Sequence, residues 1–298
     1  MYGNKNLQYS IKLFCQILSG LILFSTIIYF GACVFLFFYQ PRLIFFPSSE
    51  IGKRPGNFSL PHQDVWLPVE YSNPQQEYIH GWWMENKKSD GRVLLYLHGN
   101  SLNISANISQ AKLYYQQGFS VLLIDYRGYG LSQGSFPSES QVYEDAHIAW
   151  DYLVQKQQIS PSKIFIYGHS LGGAIAIDLA VKCPQASGLI VESSFTSIQE
   201  MIEHQRNIFS IFPVDWILTQ RFDSINKVPN LKMPVLFIHG ALDNSVPSYM
   251  SKKLYETAPS PKHLVIIDDA QHNDVSEVAT PEYIESINYF LKLTKIYK

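Results

Sequence analysis

The pentapeptide Gly168-His169-Ser170-Leu171-Gly172 constrains this 298-residue chain more than any other feature. It follows the apolar run of residues 163–167 and precedes residues 173–180, Gly-Ala-Ile-Ala-Ile-Asp-Leu-Ala, which read as a helix. A strand, a tight turn with a serine at its tip and then a helix make a nucleophile elbow. Glycine is needed on both sides of the serine because a Cβ in so sharp a turn would strike the neighbouring strand or helix. The serine hydroxyl is left exposed at the positive end of the helix.

The pattern around the elbow predicts the architecture. Strands are expected at residues 64–69, 78–84, 93–97, 121–124, 163–167, 189–191, 235–238 and 264–267. Helices are expected at 105–117, 139–157, 173–180, 198–209 and 283–293. Apolar strands alternating with helices imply an α/β fold, with a mostly parallel central sheet covered on both faces. Ligands bind beyond the carboxyl ends of such strands, and His98, Asp125, Ser170, Glu192, His239 and the loop holding His272 all fall there. Between residues 196 and 233 the alternation lapses. A stretch this long at the active edge reads as a small helical cap, the plainer alternative being extra helices packed on the body.

The N-terminus stands apart from the globular domain. Residues 13–39 carry no charge; as a helix they run roughly 40 Å, against a hydrocarbon core of about 30 Å. A membrane anchor over residues 1–40 is expected. Phe30-Gly31-Ala32-Cys33 faintly resembles a lipoprotein cleavage site, but the chain stays apolar straight after it. Lys5 and Lys12 precede the span, and Arg42, Lys53 and Arg54 follow it, so charge does not orient it. Pro41 and Pro47 are expected to end the span, with a membrane-proximal linker at 41–60 and the catalytic domain at 61–298. Phe45-Phe46 would sit at the lipid interface or pack against the domain. A net charge of −2 and the lack of a basic run argue against nucleic acid as a partner. The three cysteines, Cys15, Cys33 and Cys183, show neither metal spacing nor a disulfide framework.

A serine hydroxyl is a weak nucleophile near neutral pH and needs a base, itself oriented by an acid. After an elbow serine, the acid and then the histidine follow in chain order. Of the later histidines, His204 lies in the expected cap, His239 ends a strand in a structural setting, and His263 begins a strand. His272, in a polar loop after the last strand, is the candidate base. Asp243, in the loop after residues 235–238, is the candidate acid; Glu192 is the runner-up, and Asp125 precedes the nucleophile, which breaks the order. Asp125 is expected to tie down the loop 126–130, and Asp268, Asp269 and Asp274 to be solvated. The oxyanion of a tetrahedral intermediate needs two backbone donors, expected from the amides of Leu171 and Asn100, with Gly99 allowing the close approach. His98 is expected to brace that loop and His169 to pack.

With these motifs placed, the chain resembles the α/β-hydrolase superfamily. More narrowly it is similar to the membrane-anchored serine hydrolases of the α/β-hydrolase-domain-containing-13 group, related to the bud-emergence homologue proteins. The match rests on Phe38-Tyr39-Gln40, Phe45-Phe46-Pro47, Leu97-His98-Gly99-Asn100, Asp125 to Gly130 with Ser132, the elbow with Gly173, Val191 to Phe195, Asp243 in its Val-Pro loop, and His272-Asn273-Asp274. It covers nearly the whole chain; Ser101 departs from the small residue frequent in relatives. The resemblance implies a triad of Ser170, Asp243 and His272, with no metal or organic cofactor. The expected activity is cleavage of carboxylic esters or acyl thioesters, with a lipid or an acylated protein as partner. A peptidase of the same fold and a non-catalytic membrane-bound binding protein are the alternatives.

Overall fold

Each strand expected from the sequence is present, and together they make one sheet, buried at its centre and partly exposed at its two edges. The computed structural model describes residues 2–69, 76–205 and 208–297. The strands are β1 (Gln63–Val69), β2 (Glu77–Met84), β3 (Val93–Leu97), β4 (Ser120–Ile124), β5 (Ile164–His169), β6 (Gly188–Glu192), β7 (Val235–Gly240) and β8 (Lys262–Ile267). Their lateral order is β8-β7-β6-β5-β3-β4-β2-β1. The β1–β2 and β2–β4 pairs are antiparallel and the others parallel. The helices are α1 (Tyr2–Ile44), α2 (Ile108–Gln116), α3 (Glu139–Asp151), α4 (Leu171–Lys182), α5 (Ile198–Gln205), α6 (Val214–Ile217), α7 (Ser224–Lys227), α8 (Ser248–Thr257), α9 (Val275–Val278) and α10 (Thr280–Tyr297).

Strand residues alternate between two apolar layers, as the period of two requires. Val93, Leu95 and Leu97 of β3 join the layer with Ala146 of α3, Ile175 of α4 and Met250 of α8. Leu94 and Tyr96 join the opposite layer with Ala111 of α2 and Ile287 of α10. This doubly covered sheet is the α/β-hydrolase fold. The helix expected at 105–117 opens as a 3₁₀ turn, Ile104–Asn107, before α2. That expected at 139–157 passes from α3 into a π turn, Tyr152–Lys156. The described residues of 196–233 form α5 to α7 with 3₁₀ turns at Ile208–Ile211 and Val228–Asn230, and positions 206 and 207 of the helix expected at 198–209 lie outside the described residues.

The N-terminal segment departs from expectation. Pro41 does not end α1, which runs on to Ile44, so the expected linker at 41–60 begins as helix. Proline lacks the N–H that would bond the carbonyl four residues back. Here the Gln40 side chain replaces it, donating from Nε2 to the Phe37 carbonyl at 2.8 Å. The same side chain bolts α1 to the 196–233 segment. Its Nε2 reaches the Ile217 carbonyl at 3.1 Å, and its Oε1 accepts from the Thr219 and Gln220 amides at 2.8 and 3.0 Å. Phe45 is buried against Phe222, whereas Phe46 is 53% exposed in a two-stranded parallel sheet, Phe46–Pro47 with Ser101–Leu102. Of the pair, Phe45 therefore packs against the domain and Phe46 does not. Residues 7–44 are long and apolar enough to cross a membrane.

Below the carboxyl edge lies a buried polar network. The Glu192 carboxylate accepts from Tyr283 at 2.5 Å, Tyr167 at 3.0 Å and Gln110 at 3.3 Å. Burial pushes its pKa up to about 7 from an ordinary 4.5, against the opposing pull of the two tyrosine hydroxyls. Between about pH 4.5 and 7 the unfolded chain has released a proton that the folded chain still holds, so stability falls as pH rises through that window, by about 3 kcal/mol. Glu192→Gln removes this slope while leaving an acceptor for the tyrosines. Thermal melts of wild type and variant are expected to diverge in the variant's favour from pH 4.5 to 8; parallel curves would contradict the assignment. A second expectation concerns the elbow. A Cβ on Gly172 would stand 2.1 Å from the Leu97 carbonyl oxygen, a backbone atom of β3, whereas one on Gly99 would meet His169 Nδ1 at 3.4 Å. Gly172→Ala should lower stability by about 3 kcal/mol or more or abolish folding, and Gly99→Ala should melt close to wild type.

Candidate active site

The turn between β5 and α4 holds Ser170 at φ 55° and ψ −121°, a conformation that costs a non-glycine residue roughly 1–3 kcal/mol. Close backbone packing imposes it. A Cβ on Gly168 would lie 2.1 Å from the Gly172 carbonyl oxygen, and one on Gly173 2.5 Å from Ser194. Ser170 N–H donates to the Glu192 carbonyl at 2.9 Å, and the Ser170 carbonyl accepts from Ser194 Oγ at 2.8 Å. The main chain is thus held on both sides, and the side chain is aimed away from the sheet.

The late loop brings His272 to it. His272 Nε2 lies 3.0 Å from Ser170 Oγ, and Nδ1 lies 2.7 Å from Asp243 Oδ2. The carboxylate can only accept from Nδ1–H, so Nε2 is the acceptor for the serine hydroxyl. Asp243 is fully satisfied: Oδ1 accepts from the Ser245 and Val246 amides at 2.8 Å each, and Oδ2 also faces His239 Nε2 at 3.1 Å. Burial by itself would raise its pKa, but the bonds from His239 and His272 prevail and hold it well below the ordinary carboxylate range. Asp243 therefore stays ionised across the neutral range.

The three expected residues meet, and the competitors do not join them. Glu192 is bound by its tyrosines. Asp125 is buried and caps the loop after β3, accepting from the Ile104 amide at 2.8 Å. It also packs on Gly130, where a Cβ would fall 1.9 Å from its Oδ2. It thus serves two loops rather than the one expected. His204 is exposed on α5, and His263 lies against Tyr289. Asp268 and Asp269 are exposed, but Asp274 is not merely solvated: it accepts from the Gln271 amide at 2.6 Å and shapes the His272 turn.

His169 packs, and it also holds the same turn, its Nε2–H donating to the His272 carbonyl at 3.0 Å. Burial, together with the nearby His272, pushes the His169 pKa down to about 4, so it is neutral here. His239 was expected to be structural, yet it touches Asp243. Its Nε2–H also donates to the Val246 carbonyl at 2.8 Å, while Nδ1 pairs with Ser251 Oγ at 2.7 Å. The only sequence signal for this was its spacing of four residues from Asp243.

Leu171, the expected oxyanion donor, is the first residue of α4, so its N–H has no acceptor within the helix. The loop 98–100 abuts the elbow. His98 Nδ1–H donates to the Gly99 carbonyl at 2.7 Å, bracing the loop as expected. The Asn100 carbonyl accepts from Tyr129 at 2.7 Å and from the Phe46 amide at 2.8 Å. A Cβ on Gly99 would lie 3.5 Å from that of Ser170, an ordinary contact with the elbow.

A cavity of about 780 Å³ opens above Ser170 and His272. One side is polar, with Tyr167, Glu192 and Gln110; the other is apolar, with Leu36 and Leu43 of α1 facing Met201, Phe212 and Ile217 of the 196–233 segment. Among the described residues no cluster of three or more His, Cys, Asp or Glu side chains is disposed to hold a metal ion.

Residues 88–226 match the family model described as serine aminopeptidase, S33. The chain is 34% identical to the bem46 protein of Schizosaccharomyces pombe, across 72% of this chain and 73% of that one. It is also 34% identical to the lysophosphatidylserine lipase ABHD12 of Danio rerio, across 74% of this chain and 59% of the lipase. Among solved structures, the Pyrococcus furiosus esterase Pf2001 shares the fold with a TM-score of 0.68 at 20% identity, covering 84% of this chain and 97% of the esterase. The chain belongs to the α/β-hydrolase superfamily, in the group that includes bem46 and the α/β-hydrolase-domain-containing proteins.

Proposed function

We propose that this protein is a membrane-anchored serine hydrolase that cleaves a long-chain acyl ester or thioester. The observation that carries the reading is the unbroken chain of bonds from Ser170 through His272 to Asp243 beneath a cavity with an apolar wall. In the reaction, Ser170 Oγ bonds to the acyl carbon as its proton passes to His272 Nε2. Asp243 stabilises the imidazolium and keeps Nδ1 protonated. The carbonyl oxygen becomes an oxyanion between the amides of Leu171 and Asn100, each such donor contributing about 3 kcal/mol. The imidazolium then returns its proton to the departing alcohol or thiol oxygen or sulfur. Water attacks the acyl-enzyme, again with His272 as base, and the acid leaves as Ser170 regains its hydrogen. The protein supplies every acid, base and dipole in this sequence.

The apolar half of the cavity fits an acyl chain, and the lipase among the relatives agrees with an ester substrate. The aminopeptidase description of the family model names the alternative, a peptide substrate, which the ester chain-length series distinguishes from an acyl one. Residues 1–40 are assigned as the anchor, extended by the helix to Ile44, and residues 196–233 as the cap.

A chain-length series of p-nitrophenyl esters and matching thioesters, run on the detergent-solubilised full chain, tests the reading. Long chains should be preferred over acetate. Ser170→Ala and His272→Ala should each lower kcat by about 10⁴-fold or more, and Asp243→Asn by about 10⁴-fold. Near-wild-type turnover in any of the three contradicts the assignment. Leu36→Trp places bulk in the cavity wall away from the triad. It should reduce palmitate hydrolysis by about tenfold and butyrate hydrolysis by less than about twofold; equal losses would remove the acyl channel from the account.

A further inference from the structure

Residues 13–41 carry no charge. As a helix they extend roughly 44 Å, against about 30 Å of hydrocarbon, leaving a surplus of roughly 14 Å. The cap meets this helix at two levels. Near its end, Gln40 binds the backbone at Ile217, Thr219 and Gln220. Eleven residues earlier, Tyr29 stacks on Phe212 with ring centroids 5.6 Å apart and donates its hydroxyl to the Ile211 carbonyl at 3.2 Å. The two levels are roughly 16 Å apart along the axis, so the cap climbs the whole surplus. With Lys12 at the far headgroups, a crossing of about 20 residues extends to about residue 32, which places the Tyr29 level roughly 5 Å inside the hydrocarbon.

Ile211 lies at the Tyr29 level and Trp216 beside Ile217 nearer the Gln40 level, and between these levels the cap turns apolar side chains outward. Trp216 is 87% exposed and Ile211 61% exposed, and neither lines the cavity. α1 likewise exposes Leu23, Phe24, Ile27, Ile28 and Phe30. A tryptophan beside such a helix belongs at the headgroup boundary. Phe212 lies on both sides of the wall, since its ring stacks on Tyr29 and also lines the cavity together with Leu36.

We infer that the cap docks through Ile211 and Trp216 into the leaflet that α1 leaves, and that the acyl substrate passes from that leaflet into the cavity between α1 and the cap. The occupant of this apolar face is the lipid bilayer, and the inference rests on the proposed membrane-anchored hydrolase. A substrate delivered this way need not cross water, so its acyl chain remains in an apolar medium from bilayer to catalytic serine.

The test uses the full chain in phosphatidylcholine nanodiscs with bromines at carbons 6 and 7 of the lipid chains. Bromolipid should quench tryptophan emission, and Trp216→Phe should cut the bromine-dependent quenching by about twofold or more. Equal quenching in the two proteins overturns the docking. A second arm uses the double variant Ile211→Asp, Trp216→Asp. Hydrolysis of a long-chain ester presented in the bilayer should fall by about tenfold, with hydrolysis of soluble butyrate ester unchanged. Undiminished hydrolysis of the bilayer ester contradicts admission from the leaflet. The quenching arm needs no turnover, so a catalytically silent wild type would sink the hydrolase reading and leave the docking to be decided by fluorescence.

Discussion

The strained backbone of Ser170 is the constraint on which the rest of the molecule depends. A serine at positive φ is unfavourable alone, and it persists because β3, β5, β6 and α4 approach so closely that only glycines fit beside it. The strain is held by the Glu192 carbonyl on one side and Ser194 on the other. In return the hydroxyl stands clear of the sheet, next to a helix N-terminus and within reach of a histidine 102 residues away in sequence. The two apolar layers of the sheet are what make that turn rigid, and a small shift in either would separate the serine from its partners.

Around the elbow, charge is placed where it is satisfied. Asp243 accepts from two amides and faces two imidazoles, which explains why a largely buried carboxylate stays ionised. His239 braces the acid from behind while His272 uses it from the front. His169, neutral and buried, steadies the turn that carries His272 without competing for the proton. Gln40 plays the comparable part at the far wall of the cavity, where it repairs the carbonyl that Pro41 leaves unbonded and ties α1 to the 196–233 segment with the same amide. The long apolar helix α1 is therefore a wall of the cavity.

Much of this was legible in the sequence because it is local. Each β-strand of the central sheet is a short apolar run, and the elbow, the Asp243 loop and the His272 loop each follow such a run directly. What was not legible depends on pairing across long distances. The exchange of β3 and β4 in the sheet order leaves no trace in either strand, since both are buried on both faces. Tyr283 meets Glu192 across 91 residues, and nothing in its helical pattern sets it apart from a core tyrosine. Pro41 misled for a physical reason: the rule that proline ends a helix concerns a lost hydrogen bond, and a glutamine beside it restored that bond.

The most direct measurement is mass-spectrometric mapping of a fluorophosphonate adduct on the full-length protein in detergent. One modified residue, Ser170, is expected, with labelling slowed by about a thousandfold or more when His272 is replaced by alanine. Absence of an adduct on Ser170, or labelling that proceeds as fast without the imidazole, would mean that these side chains lie together without acting together.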